Sequence, residues 1–214
     1  MRHYWKVPRL WAGETCVIIG GGPSVADVDL SQIKGRARVI TLNNAWELVP
    51  FNDIQFFADT RWWRWHGDKF PADYPARIVT VSKGDLPNGE RVFRLRKEHE
   101  GGICTDPQAV FGRDSGLMAM NLAFNLGVGR IVLIGYDMRF TGGQGHWHED
   151  HPIPGKESYY TDDFAPLYPP AVAKMQQVGV EVLRVTPSAL DFIPQVTLED
   201  ALSRPPRHRS DLYA

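Results

Sequence analysis

Val17-Ile18-Ile19-Gly20-Gly21-Gly22-Pro23-Ser24 is a β-branched apolar run broken by three glycines and a Pro-Ser step. It reads as a buried strand, a tight turn and the first turn of a helix with Pro near its start. Glycines carry no Cβ, so a phosphate or sugar can come close to the backbone there. A helix N-terminus beyond them would present free N–H groups and the positive end of a dipole, which favour an anion. The run fits neither standard phosphate fingerprint: the G-x-G-x-x-G spacing is absent, and no Gly-Lys-Ser/Thr follows. Gly20, Gly21, Gly22, Pro23 and Ser24 are candidates for nucleotide or phosphate contact by their context, with a plain structural turn as the alternative.

Outward from this turn, the first strand spans 16–20, and short apolar runs recur at 38–42, 54–58, 77–81, 130–134 and 180–185. Near-continuous Val, Ile and Leu suit strands covered on both faces, as in a parallel sheet. Helical spacing appears at 25–33, at 115–126 (stopped by Gly127) and at 171–178 (stopped by Gly179). The alternation predicts an α/β fold: one Rossmann-like domain over 1–203 with a mostly parallel, doubly wound sheet. Two stretches break the pattern. Residues 84–113 hold one candidate strand at 92–95. Residues 141–170 are dense in Gly, His, Asp, Tyr and Pro, and read as a long active-site loop or lid. Residues 204–214 read as a basic, Pro-rich tail that frays.

The 214 residues are 43% hydrophobic and 23% charged with net charge −1, so no global field argues for nucleic acid or membrane. Two cysteines are too few for a disulfide framework, and Cys16 reads as a core thiol. With no apolar run of transmembrane length and a polar N-terminus, the expected location is the cytoplasm, without membrane partners.

In an open α/β sheet, ligands bind beyond the carboxyl ends of the strands. Asn43 and Asn44 follow the second strand and offer amides for a base or ribose, or an Asx turn. Asp59 follows the third, as a partner for a sugar hydroxyl or a metal, or as a cap. Asp114-Ser115-Gly116 opens the long helix, where a hydroxyl and N–H groups suit a phosphate or carboxylate, or serve as an ordinary cap. Gly135, Tyr136 and Asp137 follow the 130–134 strand, with Asp137 as a partner for ribose, a metal or loop backbone. His146, His148 and His151 lie within six residues of the long loop. Their H-x-H-x-x-H spacing matches no standard zinc pattern, so a general base or ligand contact is preferred to a metal site, with loop packing as the plain reading. Arg61-Trp62-Trp63-Arg64-Trp65-His66 interleaves basic and aromatic residues. It suits nucleic-acid stacking or, as preferred here, a helix that buries Trp62 and Trp65.

Taken in order, I-I-G-G-G-P-S (18–24), L-N-N (42–44), F-A-D (57–59), D-S-G (114–116) and I-V-L-I-G-Y-D (131–137) resemble a known superfamily. It holds the family 42 sialyltransferases, the motility-accessory-factor proteins and the archaeal 6-hydroxymethylpterin diphosphokinases, and the nearest likeness is to small phage-encoded members. The resemblance implies that Gly20, Gly21, Gly22 and Asn43 or Asn44 contact a nucleotide. It implies that Ser115 and Gly116 contact the donor sugar, that Gly135 and Asp137 frame the cytidine side, and that one of His146, His148 and His151 is the general base. Gly21 and Asp59 stand where the sialyltransferases carry Asn, which loosens the tie to CMP-sialic acid itself.

The expected function is a nucleotide-activated transferase, foremost a glycosyltransferase that needs no cofactor. In a phage setting a modified DNA base becomes one acceptor, with the Arg61 to His66 run and the tail as its contacts. The alternatives are an ATP-dependent diphosphokinase using Mg2+ on Asp59, Asp114 or Asp137, and a non-catalytic nucleotide-binding phage protein.

Overall fold

The computed structural model describes residues 3–99, 102–148 and 155–205. The chain runs β1 (Thr15–Ile19), β2 (Arg38–Leu42), β3 (Ile54–Phe57), α1 (Thr60–His66), β4 (Arg77–Thr80), β5 (Phe93–Arg94), β6 (Arg96–Glu98), β7 (Ala109–Phe111), α2 (Ser115–Leu126), β8 (Arg130–Ile134), α3 (Tyr168–Gln177), β9 (Glu181–Arg184) and α4 (Leu198–Ser203). Seven strands form one sheet in the order β5-β4-β3-β2-β1-β8-β9. Every pairing in it is parallel. The α/β, doubly wound expectation holds. The strand order reverses between β1 and β8, where Ile19 pairs with both Thr41 and Ile134.

The pleat divides the core. Cys16, Ile18, Ile40, Ile131 and Leu133 face α2 and α3, while Val17, Ile19, Val39, Val132 and Ile134 face the other side with Val25, Ile33 and Leu198. Burial pushes the Cys16 thiol well above its usual value, as suits an inert core thiol. From Gly116 to Leu126, α2 is buried all round. Its polar members serve the backbone of the neighbouring segment: Asn121 Oδ1 accepts from the Cys104 and Phe111 N–H groups at 2.8 Å, and Asn125 Nδ2 donates to the Ala109 carbonyl. Asp114 caps the helix start, and Gly127 closes its end at φ +96°.

Four expectations need correction. Residues 25–33 are no α-helix: the chain makes two 3-10 turns, Pro23–Asp27 and Leu30–Ile33. A five-residue 3-10 turn offers no helix dipole, so the anion argument at the first turn fails there. Residues 84–113 hold three strands, β5 in the main sheet and β6 with β7 in a parallel pair of their own. Residues 141–170 are not uniformly irregular, since Tyr159–Phe164 is a π-helix and Ala165–Leu167 a 3-10 turn leading into α3. The first two residues of the tail are tied down. The buried Arg130 guanidinium donates to the carbonyls of Arg204 and Pro205 and pairs with Glu181 at 2.7 Å. Residues 206–214 lie outside the described residues.

Candidate functional site

Beyond the carboxyl ends of β1, β2, β3 and β8 opens a cleft of about 480 Å³. It sits at the switch point between β1 and β8, where such sheets bind ligands. Gly20, Gly21, Gly22, Asn43, Asn44, Asp59, Ser115, Gly116, Gly135, Asp137, His146 and His148 all line it. Pro23 and Ser24 do not, and His151 lies outside the described residues.

The glycines divide into two kinds. A Cβ on Gly20 would stand 2.5 Å from the Gly135 carbonyl oxygen, and one on Gly22 would collide with the Asp137 carboxylate and lie 2.7 Å from that same carbonyl. These two glycines let the ends of β1 and β8 come together, and the Gly22 N–H donates to Gly135 O at 2.8 Å. Gly21 alone faces side chain only: its Cβ position is 3.1 Å from His146 Nδ1.

Asp137 is buried and engaged. The Ser24 hydroxyl and N–H both donate to it, as does Thr141 Oγ1 at 3.1 Å. Ser24 is thus an internal brace rather than a ligand contact. Asp59 caps α1 through the Arg61 N–H and forms an exposed ion pair with the Arg61 guanidinium at 2.6 Å. Asn43 adopts φ +48°, and its carbonyl accepts from Gln55 Nε2. Asn44 is buried: its Oδ1 accepts from Trp62 Nε1 at 2.7 Å, while its Nδ2 has no partner among the described residues. Asp114 accepts from the Leu117 N–H and from Tyr168 Oη at 2.7 Å. Burial pushes its carboxyl above the usual range against those donors, which pull it down.

The basic-aromatic run is α1, and it is amphipathic. Trp62 and Trp63 are buried against Phe57 and Phe70, whereas Trp65 is 39% exposed on the cleft wall. The preference for burial holds for Trp62 and fails for Trp65. At helical spacing Trp65 lies at the edge of the face that Trp62 and Trp63 bury, about 110° from the direction midway between them, and that edge borders the cleft.

The long loop places its histidines by alternation. The Trp147 N–H donates to Gly21 O at 2.9 Å, and its ring packs with the cluster of Val17 and Ile19. His146 and His148, on either side, face the cleft with their rings stacked at 5.5 Å and 17°.

Several cleft residues escaped sequence reasoning. Tyr136 and Met138 flank Asp137, and Met138 takes φ +51°, a rare backbone for a long side chain. The π-helix supplies Tyr159, Tyr160 and Phe164. At about 4.4 residues per turn these three fall within an arc of about 80°, where an α-helix would spread them over about 140°. No sequence signal marks that winding. Among the described residues no cluster of three His, Cys, Asp or Glu side chains is placed to hold a metal ion, and no helix is long and apolar enough to cross a membrane.

No protein-family model and no curated protein matches the chain. Solved structures do. The sialyltransferase CstII from Campylobacter jejuni, in complex with cytidine-5'-monophosphate, superimposes with TM-score 0.58 at 13% identity over 95% of this chain and 92% of that one. CST-II with CMP and a trisaccharide acceptor gives 0.57 at 12% over 94% and 93%. The α-2,3-sialyltransferase Cst-I from Campylobacter jejuni gives 0.55 at 12% over 94% and 86%. At such identities the likeness is one of fold.

Proposed function

We propose that this chain is a glycosyltransferase that moves a sugar from a nucleotide-activated donor to an acceptor hydroxyl. The observation that carries this reading is the convergence, on one cleft at the switch point, of strand-end backbone, the α2 start at Ser115 and two loop imidazoles. The fold neighbours with bound CMP support a nucleotide in that cleft. The phosphate would meet Gly21 and, at the start of α2, Ser115, where the helix dipole favours the charge that develops on the leaving oxygen, while the N–H groups of Gly20 and Gly22 are already spent on Ile134 O and Gly135 O. A loop imidazole would take the acceptor's proton, a step that suits a base titrating near neutrality. His146, His148 and His151 remain the candidates for that base.

The diphosphokinase alternative asks Asp59, Asp114 or Asp137 to hold Mg2+. Each is engaged already, by Arg61, by Tyr168 and Leu117, and by Ser24 and Thr141 respectively. That ranks it second. DNA as acceptor is weakened as a reading, since Trp62 and Trp63 are buried and Trp65 alone of the run's three indoles is exposed for stacking.

A thermal-shift panel of CMP, CMP-sialic acid, UDP- and GDP-linked sugars and ATP, with and without Mg2+, tests the reading. A ligand present at 100 times its Kd stabilises by about 2.7 kcal/mol. The expected outcome is a rise in Tm with a nucleotide or sugar nucleotide that does not need Mg2+. A shift with ATP alone, and only with Mg2+, would move the diphosphokinase ahead, and no shift with any member would sink both.

A further inference from the structure

The loop carries two imidazoles into the cleft, while the proton transfer above uses one. Three contacts fix them there. Trp147 is pinned to Gly21 through its N–H and to the core through its ring. Gly145 is clasped on the other side: a Cβ there would lie 3.1 Å from Phe140 Cε1 and 3.3 Å from Tyr160 Oη, and Tyr160 Oη donates to the Gly145 carbonyl. Between and beyond these anchors, His146 sits over Gly21 and stacks on His148 at 5.5 Å. The pair is therefore held, not merely nearby.

Two imidazoles this close disfavour double protonation, so a charge on one ring leaves the other neutral. Among the described residues the acidic groups around the cleft and Arg113 are committed to their own partners: Asp137 to Ser24 and Thr141, Asp59 to Arg61, Arg113 to Asp163, and Asp114 to Tyr168; the buried His66 and the phenols of Tyr136, Tyr159 and Tyr160 line the cleft as well. Arg139 is an exposed cation on the same wall. Glycosyl transfer is helped by a positive donor on the leaving phosphate and a neutral acceptor for the incoming hydroxyl's proton. A stacked pair with one ring charged and the other neutral would supply both.

We propose, building on the transferase reading, that the two histidines divide the work, with His146 as the cation on the donor phosphate and His148 as the base for the acceptor. His146 lies over the strand-end backbone where the phosphate would rest, and His148 is one step further along the loop. The acceptor O–H proton passes to a His148 ring nitrogen as the acceptor oxygen bonds the anomeric carbon. The bond from that carbon to the phosphate oxygen breaks, its electron pair leaves on the nucleotide, and the His146 N–H hydrogen-bonds that oxygen. His148 then returns its proton to water.

The test needs no turnover. The full chain is titrated calorimetrically with CMP, UMP, UDP, GDP and ADP, and with cytidine and uridine as phosphate-free controls, at pH about 6 and about 8, across the ordinary imidazole range. For whichever nucleotide binds, His146→Ala should weaken affinity about tenfold at the lower pH and abolish most of the pH dependence. His146→Gln, which keeps an N–H donor, should recover part of the loss. His148→Ala should cost clearly less affinity than His146→Ala and, by removing the neighbouring imidazole that disfavours the charge on His146, should move the pH dependence to higher pH rather than abolish it, and nucleoside binding should not change in the His146 variant. The phosphate's own ionisation is common to all variants and cancels. Nucleotide binding that is unchanged in His146→Ala, or lost equally in His148→Ala, overturns the division while leaving the transferase reading intact. Binding of no nucleotide by wild type overturns both.

Discussion

The glycine turn after β1 and the histidine loop beyond Thr141 are joined by the hydrogen bond from Trp147 N–H to Gly21 O, yet they are held by opposite means. The turn is held by backbone against backbone: Gly20 and Gly22 lie so close to Gly135 that no side chain fits between them. The loop is held by side chains, with Trp147 in the core beneath it and Tyr160 and Phe140 around Gly145. A backbone lock fails at the first added atom. A side-chain lock loosens in proportion to the area removed. The lesson concerns glycine runs in general: of three adjacent glycines here, two serve the sheet and one serves the cleft.

The sharpest way to break that contrast is Gly22→Ala. The new methyl meets the Asp137 carboxylate and the Gly135 carbonyl together, and Asp137 cannot yield without releasing Ser24 and Thr141. Overpacking of this kind costs about 3 kcal/mol. Urea denaturation of the variant measures it, and a loss below about 1 kcal/mol would mean that the turn gives and is no lock.

Next in size is Trp147→Ala. The ring is half-buried, so the loss should be about 2 kcal/mol, below the range for a fully buried Trp. Released from its anchor, the His146–His148 pair should lose its fixed place, and turnover should fall with little change in nucleotide affinity at the higher pH. Trp147→Phe should restore most of both. The indole N–H is buried without a partner among the described residues, so Phe gives up no hydrogen bond there. Failure of Phe to rescue would argue against an anchor that works by packing.

These contrasts also show which parts of the molecule were legible in the sequence. The inner strands of the main sheet announce themselves because both faces are buried and most positions are apolar, as in Arg130–Ile134 after its first residue, with Thr41, Gln55 and Thr80 as buried polar exceptions. The start and stop of α2 are local chemistry, an Asp cap and a left-handed Gly, and they fall where the sequence puts them. The cleft's strand-end residues were legible because chain order alone places them at one edge of a parallel sheet. The roles within that edge were not. That Asp137 braces Ser24 depends on two residues 113 positions apart, and no spacing encodes it. The 3-10 turns at Pro23–Asp27 and Leu30–Ile33 replace a helix because Asp29 bonds its own neighbours Ser31 and Gln32, a competition between side chain and helix that periodicity does not register.

Gly21→Ala sharpens the comparison from the other side. Its Cβ would press on the end of one imidazole rather than on backbone, so stability should change by less than about 1 kcal/mol. The displaced His146 should cost about tenfold in nucleotide affinity, about 1.4 kcal/mol. Calorimetry on the folded variant checks it. A stability loss as large as that of Gly22→Ala would erase the distinction between the two glycines.

The smallest effect is a pH test of the side-chain lock. Burial, with the charges of Asp114 and Asp137 adding to it, pushes the Tyr160 phenol up to about 12, and burial raises Tyr136 and Tyr168 well above their usual value. An unfolded phenol loses its proton near ~10, while the folded one keeps it. Above that pH the folded state binds more protons than the unfolded state, so stability falls as pH rises, with no contribution from these groups below it. Tyr160 alone should account for about 1 kcal/mol by pH ~11, and at most ~1.4 kcal/mol per pH unit. Tyr160→Phe removes that share. At neutral pH the variant should lose only the bond to Gly145, about 0.5–1 kcal/mol, and the gap to wild type should close as the pH is raised. Urea melts at neutral pH and at pH ~9, ~10 and ~11 decide it. Parallel pH profiles for the two proteins would show that the phenol ionises as freely in the fold as outside it, and the clasp around Gly145 would then be open to solvent.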